Sequence, residues 1–408
     1  MRHMLAEGKL TRTTSLVDRD RSSNTTMILE IPLRLLFGML AFSVAFATKA
    51  EDRVRVIRTG SDHQRVEIIS SRLGETGDWM TETNGYTELS TGLNYWDSES
   101  GQWEASVEEI AIAQVGAAAL RSPHKVYFAP SLDDPQGSVD VLAPDGSRFR
   151  SSVLALGYYD PISGRRHILG LVKDVPGELL PPNQVIYRDA FEPQEQGNRV
   201  RCDVLYTFRR SGIEQDILIR EPVPAPEEFG LSSEWARLEV MTEFFEAPEP
   251  RRHPRILDRI ENDQDRALMA SPDWEDESLD FGQFLIGEGR AFRFGRQADM
   301  FSDGPNAPLI AKSWIIQDGR RVLLEAVRYT EVEPMLRELV AGPDGGRQDV
   351  AKKMAAFRAK GGMRASSEDR LRKSLSAGSS EVALGKRPFL PQRPATSSQY
   401  TGRTMAMA

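Results

Sequence analysis

Acidic side chains at two-residue spacing are the first candidates for chemistry in this chain of 408 residues. Glu214 and Asp216, in "GIEQDILI", share one face of a predicted strand because successive strand side chains point to opposite faces. Two carboxylates about 5–10 Å apart can serve as the acid and the base or nucleophile of a glycosidase. With 60 Asp and Glu residues, however, such spacings also arise without function. Carbohydrate chemistry therefore stays open, and no catalytic residue is assigned.

Aromatic residues near two predicted turns are the second set of candidates. Five aromatic residues could form a flat platform on which a sugar stacks: Tyr95, Trp96, Trp103, Tyr158 and Tyr159. Aromatic residues in strands, however, more often belong to the core. The candidate ligand-binding residues are therefore Trp96, Trp103, Tyr158, Tyr159, Glu214 and Asp216.

The residues that usually hold metals and cofactors are scattered. The five histidines lie far apart, and the single Cys202, within "VRCDVLY", is predicted to be a buried apolar side chain rather than a nucleophile. Acidic runs at 263–265 and 273–280 could coordinate Ca²⁺, but the first lacks the central Gly and the closing Glu of a calcium loop. We found no phosphate-binding or nucleophile-elbow motif. The sequence predicts no metal and no cofactor.

The elements that would position these residues are short strands. From about Tyr86 to Tyr329, apolar-polar alternation is interrupted every 8–12 residues by Pro and Gly, a pattern typical of an antiparallel β-sandwich or sandwich-like sheets. Hairpin turns are predicted at four places: Pro144-Asp145-Gly146, Ser211-Gly212, Gly287-Glu288-Gly289 and Asp318-Gly319. The fold class predicted is mainly β, with a short helical basic C-terminal tail.

Two local patterns refine this prediction. In 213–219 the side chains Ile213, Gln215, Ile217 and Ile219 share one face, and Glu214, Asp216 and Leu218 share the other, so the acidic face is expected to meet solvent. The strings "YWDSESG" and "YYDPISG" share the pattern Y-[WY]-D-x-x-S-G. In both, Asp is expected to accept hydrogen bonds from turn amides, and Gly to adopt a left-handed conformation.

The sequence pattern divides residues 48–408 into four predicted segments. Residues 48–85 form an irregular or strand segment, and residues 86–330 form the β-sandwich region, with insertion-like loops at 225–280. Residues 331–375 form short helices, and residues 376–408 form a disordered tail. Residues 341–408 contain 13 Lys and Arg against 5 Asp and Glu, a net charge of +8. Since the total is −8, the first 340 residues carry −16, which disfavours nucleic acid as a partner.

The N-terminus resembles an export signal. An apolar run from Leu35 to Ala47 follows Arg34 and ends in small residues, which predicts a signal peptide at 27–47 cleaved between Ala47 and Thr48. Met27 is then the expected start, and residues 1–26 a mis-annotated extension. The run is too short to span a bilayer, so no transmembrane anchor is expected after cleavage. The predicted location is secreted or in the cell envelope, periplasmic or extracellular.

Three strings resemble a known family: "TGLNYWDSESGQWEAS", "NQVIYRDAF…CDVLYTFRRSGIEQDILI" and "KSWIIQDGRRVLLEAV". They are similar to the N-terminal β-rich region of secreted bacterial proteins with RHS (YD) repeats, of the wall-associated or polymorphic-toxin type. The resemblance covers about Glu88–Leu339. It implies a secreted presentation module without an inherited catalytic site, although the tandem repeats of the family do not follow here.

The sequence therefore predicts a secreted, non-catalytic structural or binding module exposed at or outside the cell envelope. Its partner would be a polysaccharide or another envelope protein. Two alternatives stay open. One is a carbohydrate-active enzyme that uses paired carboxylates on a β-sandwich. The other is a relic or partner of an RHS-type toxin system.

Overall fold

A computed structural model describes residues 53–73, 77–195, 200–293 and 307–339, and the backbone of 398–400 and 405–407. All of them belong to one compact unit, 50–408. The predicted signal peptide, its predicted cleavage point at Ala47 and Thr48, and most of the predicted tail lie outside the described residues.

The described chain is mainly β, as predicted, and most strand pairs are antiparallel. The first twelve strands are β1 (Arg53–Arg58), β2 (His63–Leu73), β3 (Trp79–Leu89), β4 (Asn94–Asp97), β5 (Gln102–Ala105), β6 (Ala111–Ile112), β7 (Ala117–Ala119), β8 (Lys125–Phe128), β9 (Val139–Leu142), β10 (Arg148–Tyr159), β11 (Arg166–Val172) and β12 (Gly177–Leu180).

The remaining elements follow in chain order. They are β13 (Gln184–Tyr187), β14 (Phe191–Pro193), β15 (Cys202–Arg209), β16 (Gly212–Ile219), a 3-10 turn (Pro226–Phe229), β17 (Arg237–Glu246), β18 (Arg251–Arg259), α1 (Asp263–Ala267), β19 (Asp273–Asp280), β20 (Phe284–Ile286), β21 (Gly289–Arg293), β22 (Leu309–Gln317), β23 (Arg320–Arg328), α2 (Tyr329–Arg337), β24 (Ser398–Tyr400) and β25 (Met405–Met407).

One sheet connects most of these strands, in the order β12-β13-β15-β16-β25-β21-β22-β23-β17-β10-β9-β8-β7-β6. Residues from both halves of this sheet share one core. For example, Phe128 of β8 packs against Tyr206 of β15 with ring centroids 5.9 Å apart, and Tyr206 hydrogen-bonds to Ser138. The two halves thus bury their apolar faces against each other, which is the sandwich-like arrangement that the alternation predicts.

The strongest turn signals produce the predicted hairpins. At the β22–β23 turn, Asp318 and Gly319 both have positive φ, 53° and 77°, as the favoured two-residue hairpin turn requires. The turn at Pro144–Gly146 joins β9 to β10, as predicted. The hairpin β15–β16 also forms, but its turn is Arg210-Ser211, one residue before the predicted Ser211-Gly212, since Gly212 pairs with Arg209. The prediction at 287–289 is wrong, because β20 pairs with β19 and β21 pairs with β22, so this turn passes between two sheets.

Strand β16 is covered on both faces. Ile213, Ile217 and Ile219 lie in the main core, as predicted. The expectation that the other face meets solvent is wrong for Asp216, which is 6% exposed. Leu218 from that face joins Leu180, Ile186 and Leu205 in a second apolar cluster. A second layer can thus pack on the polar face of an amphipathic strand, and the sequence of that strand alone does not predict it.

The acidic segment at 256–280, within the insertion-like loops predicted at 225–280, contains the end of β18, all of α1 and all of β19. Strands β18 and β19 place Arg251 opposite Asp280 and Arg255 opposite Asp276, and both pairs form ion pairs. Opposite charges directly across a strand pair are stabilising, so the acidic run is neutralised by a neighbour rather than by water.

Candidate functional site

A polar cleft of about 240 Å³ lies where β17 begins and where β18 and β23 end. Its lining combines arginine, tryptophan and carboxylate side chains. The residues that matter for its chemistry are Trp235, Arg237, Asp258, Arg259, Trp274 and Arg328. A second space, near Phe149 and Phe284, is apolar and holds only about 20 Å³.

Guanidinium groups and aromatic rings alternate in a row that begins at this cleft, which Arg237, Trp274 and Arg328 line. The guanidinium carbon of Arg166 lies 4.6 Å from the Tyr159 ring centroid, and that of Arg237 lies 5.8 Å from the same ring. Arg237 also lies 4.5 Å from the Trp274 ring, which Arg328 approaches to 5.5 Å. Each contact is a cation–π interaction. We call these five residues the arginine–aromatic column.

Arg237 differs from the other arginines of the column. Arg166 is paired with Glu239 and Arg328 with Asp258. For Arg237, the acceptors within the described chain are the backbone carbonyls of Ser271 and Asp273, at 3.4 Å and 3.2 Å. Burial lowers the pKa of Arg237 to about 10, so it stays cationic at neutral pH. Its charge is therefore available to an anion that enters the cleft.

The second Y-[WY]-D-x-x-S-G turn supports this site. Asp160 accepts hydrogen bonds from the amides of Ile162 and Ser163, and Gly164 has φ 70°. The turn then receives two backbone hydrogen bonds from the loop after α1, from Ala270 to Ile162 and from Ser271 to Pro161. This pairing holds the loop whose carbonyls accept the hydrogen bonds of Arg237.

The first copy of the pattern has the same local geometry. Asp97 accepts from the amides of Glu99 and Ser100, and Gly101 has φ 65°. Hydrogen bonds from Ser100 lower the pKa of Asp97. The shared turn chemistry is thus confirmed for both copies, but only the second turn, through Pro161, contributes to the cleft.

The predicted aromatic platform is divided among three places. Trp96 and Trp103 face each other across the β4–β5 hairpin, half-buried, with ring centroids 5.7 Å apart. Tyr158 is fully buried, and its hydroxyl donates to the Pro224 carbonyl. Tyr159 belongs to the arginine–aromatic column, and its hydroxyl lies 2.5 Å from Ser271 Oγ.

The predicted carboxylate pair lies elsewhere, on β16. Glu214 is 3.9 Å from Arg209, and Asp216 is buried in the sheet. Neither lines the cleft. The carboxylate that does, Asp258, accepts a hydrogen bond from Arg328 that holds its pKa below the ordinary value. A glycosidase acid requires the opposite shift, so Asp258 is suited to accept hydrogen bonds rather than to donate a proton.

The acidic runs considered for Ca²⁺ have structural partners. Asp276 accepts hydrogen bonds from the backbone amide and the Nζ of Lys312, and Glu277 accepts from the Trp314 amide. Residues 263–265 begin α1, with Asn262 as the N-cap. Within the described ranges, no group of three or more His, Cys, Asp or Glu side chains could hold a metal ion. Cys202 is buried, as predicted, and burial raises the pKa of its thiol.

The strings "YRDAF" and "CDVLY", which belong to the family resemblance, meet around a buried arginine. The side chain of Arg220 is fully buried and forms ion pairs with Asp189 and Asp203. Asp203 also accepts the backbone N–H of Asp189, which has a positive φ of 50°. The Asp residues of "YRDAF" and "CDVLY" thus fix a turn around a buried arginine.

Comparisons with protein-family models, with curated proteins and with solved structures find no match to this chain. None of the helices described is long and apolar enough to cross a membrane.

Sequence reasoning missed most of the cleft. Arg237, Arg328 and Trp274 come from three different strands, and their spacing along the chain carries no motif. The only signal was the second turn pattern, which contains Tyr159, a member of the column.

Proposed function

We propose that this protein is a secreted, β-rich binding module, exposed at or outside the cell envelope, whose cleft binds an anionic group of a polysaccharide. One observation carries the proposal: Arg237 lies over Trp274 and has only backbone carbonyls as acceptors in the part of the chain described. A carboxylate or phosphate can occupy the open side of such a guanidinium with charge-assisted hydrogen bonds.

The rest of the cleft suits a sugar that carries the anion. Trp235 is half-buried on the lining and offers part of an aromatic face for stacking. Glu234 and Asp258 supply carboxylate oxygens that can accept hydrogen bonds from hydroxyl groups.

Export and the RHS resemblance are part of the same proposal. The apolar run ending at Ala47 supports a signal peptide, and the three quoted strings support a module related to secreted RHS-repeat proteins. N-terminal sequencing of protein recovered from the medium or periplasm tests export, and a first residue of Thr48 is the expected result. Protein that stays intracellular and begins at Met1 or Met27 would contradict it.

Ligand binding is tested by calorimetry with acidic oligosaccharides, such as oligogalacturonates, against neutral oligosaccharides of equal length. We expect the acidic series to bind and the affinity to fall as salt rises. Arg237→Met should reduce affinity at least about tenfold, because a charge-assisted pair is removed. Arg188→Met, which removes a partly exposed arginine of a surface pair with Glu178, is the matched control. Equal binding of neutral and acidic sugars would contradict the proposal.

A further inference from the structure

The three-stranded sheet β1-β2-β3 has an open, apolar edge. Strand β3 has eleven residues, and its second edge has no partner strand in the described ranges. Leu89 is 75% exposed and Tyr86 55%, and Trp79 and Met80 are also exposed. Long exposed edge strands with apolar residues are templates for pairing with another strand.

The other edge of the same sheet is protected. Strand β1 carries Arg53, Arg55 and Arg58 within six residues. Antiparallel pairing of β1 with a second β1 would place Arg53 opposite Arg58, and like charges directly across a strand pair are destabilising. Charged residues on an edge strand are a common way in which native sheets avoid pairing. The chain therefore blocks one edge and leaves the other available.

We propose that β3 is a self-association edge, on which a second copy of this chain adds its own β3 antiparallel about a two-fold axis at Asn84. The result is a continuous six-stranded sheet across the dimer. In this register all eleven residues are paired, and the opposite residues are Trp79 with Leu89, Met80 with Glu88, Thr81 with Thr87, Glu82 with Tyr86, Thr83 with Gly85, and Asn84 with itself.

The charges of β3 select this register. Its two charged residues, Glu82 and Glu88, face Tyr86 and Met80 of the other copy, so no like charges are opposed. A shift of two residues in one direction places Glu82 opposite Glu88. The same shift in the other direction leaves Glu88 and Leu89 without an opposite residue. A two-residue step is the smallest that keeps each side chain on its own face.

The two-fold arrangement also accounts for the exposed apolar side chains. Trp79 and Leu89 stand at opposite ends of β3, so the two-fold axis brings Trp79 of each copy beside Leu89 of the other. Strand addition supplies main-chain hydrogen bonds, and these end pairs add apolar contact. This inference uses no residue of the cleft, so it stands or falls independently of the ligand proposal.

The test is sedimentation of the full chain across a range of protein concentrations. The wild type is expected to be a dimer. Tyr86→Glu should weaken dimerisation about tenfold or more, because it places carboxylates opposite Glu82 at two symmetric points. Adding Glu82→Lys should restore the dimer. Positions 82 and 86 lie about four residues apart along one extended strand, too far for contact within one copy.

Val54→Glu on β1 is the matched control, because Val54 is 64% exposed but lies on the opposite edge, and it should leave the dimer intact. Circular dichroism checks folding of each variant. If Tyr86→Glu does not fold, amide exchange in the wild type decides, since the outward amides of β3 should exchange more slowly as concentration rises. A monomeric wild type, an open-ended polymer, or failure of Glu82→Lys to rescue would overturn the proposal.

Discussion

At the scale of single residues, His124 is 1% exposed and lies between the rings of Phe208 and Phe284. Burial lowers its pKa to about 4, with a smaller contribution from the charge of Lys125. The unfolded chain binds a proton near pH 6.5, so between about pH 4 and 6.5 it holds more protons than the folded chain. The contribution of His124 to stability is therefore complete above pH 6.5 and is lost as the pH falls through this window.

Replacing His124 with Leu should remove about 2.5 kcal/mol of this acid sensitivity between pH 7 and 4.5, because the pKa differs by about 2.5 units between the unfolded and folded chain. The measurement is the free energy of unfolding in urea at pH 7 and at pH 4.5, for wild type and variant. Asp203 titrates with the opposite sign, since burial raises its pKa to about 6, and comparison with the variant cancels it. His253→Leu, at an exposed position on β18, is the control. Equal pH dependence in wild type and His124→Leu would contradict the prediction.

Arg220 is a second residue whose replacement is expected to change the free energy of unfolding strongly, because its side chain is fully buried. Its removal leaves the fully buried Asp203 without its paired cation, whereas the partly buried Asp189 keeps its ion pair with Arg201. Arg220→Met should therefore reduce the free energy of unfolding by about 3–5 kcal/mol, the usual cost of breaking one side of a buried ion pair. Arg188→Met, in the more exposed pair with Glu178, should cost at most about 1 kcal/mol. Equal losses in urea unfolding for the two variants would show that burial is not the cause.

At the scale of elements, the two Asp turns allow a direct comparison of one motif in two settings. Asp160 is buried and accepts from the Ile162 and Ser163 amides and from Ser163 Oγ, whereas Asp97 caps an exposed turn. Asp160→Ala should cost about 2 kcal/mol because three hydrogen bonds to a buried carboxylate are lost, and Asp97→Ala about 0.5–1 kcal/mol because its turn is exposed. Thermal or urea unfolding measures both. The same loss at both positions would mean that the packing of the turn does not matter.

The same comparison shows which features of the fold could be predicted from the sequence. Turns such as Asp318-Gly319 and the Asp160 turn are specified by a few adjacent residues, and these were predicted correctly. The coverage of Asp216 depends on a second layer from distant strands, and the expectation failed there. The cleft could not be predicted for the same reason, because Arg237, Trp274 and Arg328 come together only when three separate strands pair in the folded sheets. Turn conformations are thus specified by adjacent residues, whereas the packing of layers depends on residues that are distant in the sequence.

At the scale of the whole molecule, burial is distributed unevenly between sheets. In the strands β1, β2 and β3, Val66 is the one buried residue. In β17, by contrast, six of ten residues are buried, and β17 lies between β10 and β23. Regions with few buried apolar contacts open at lower free energy than the core strands.

Amide hydrogen exchange should therefore divide the chain into two classes. Amides of β10, β17 and β23 are expected to exchange only through global unfolding. Those of β1–β3 should exchange at least about tenfold faster, through local opening. The measurement is exchange followed by mass spectrometry at low protein concentration, where strand addition to β3 does not contribute. A mild denaturant series is the control, because only global exchange shares the full denaturant dependence of unfolding. Uniform protection of both classes would mean that the small sheet unfolds together with the large core despite its exposed faces.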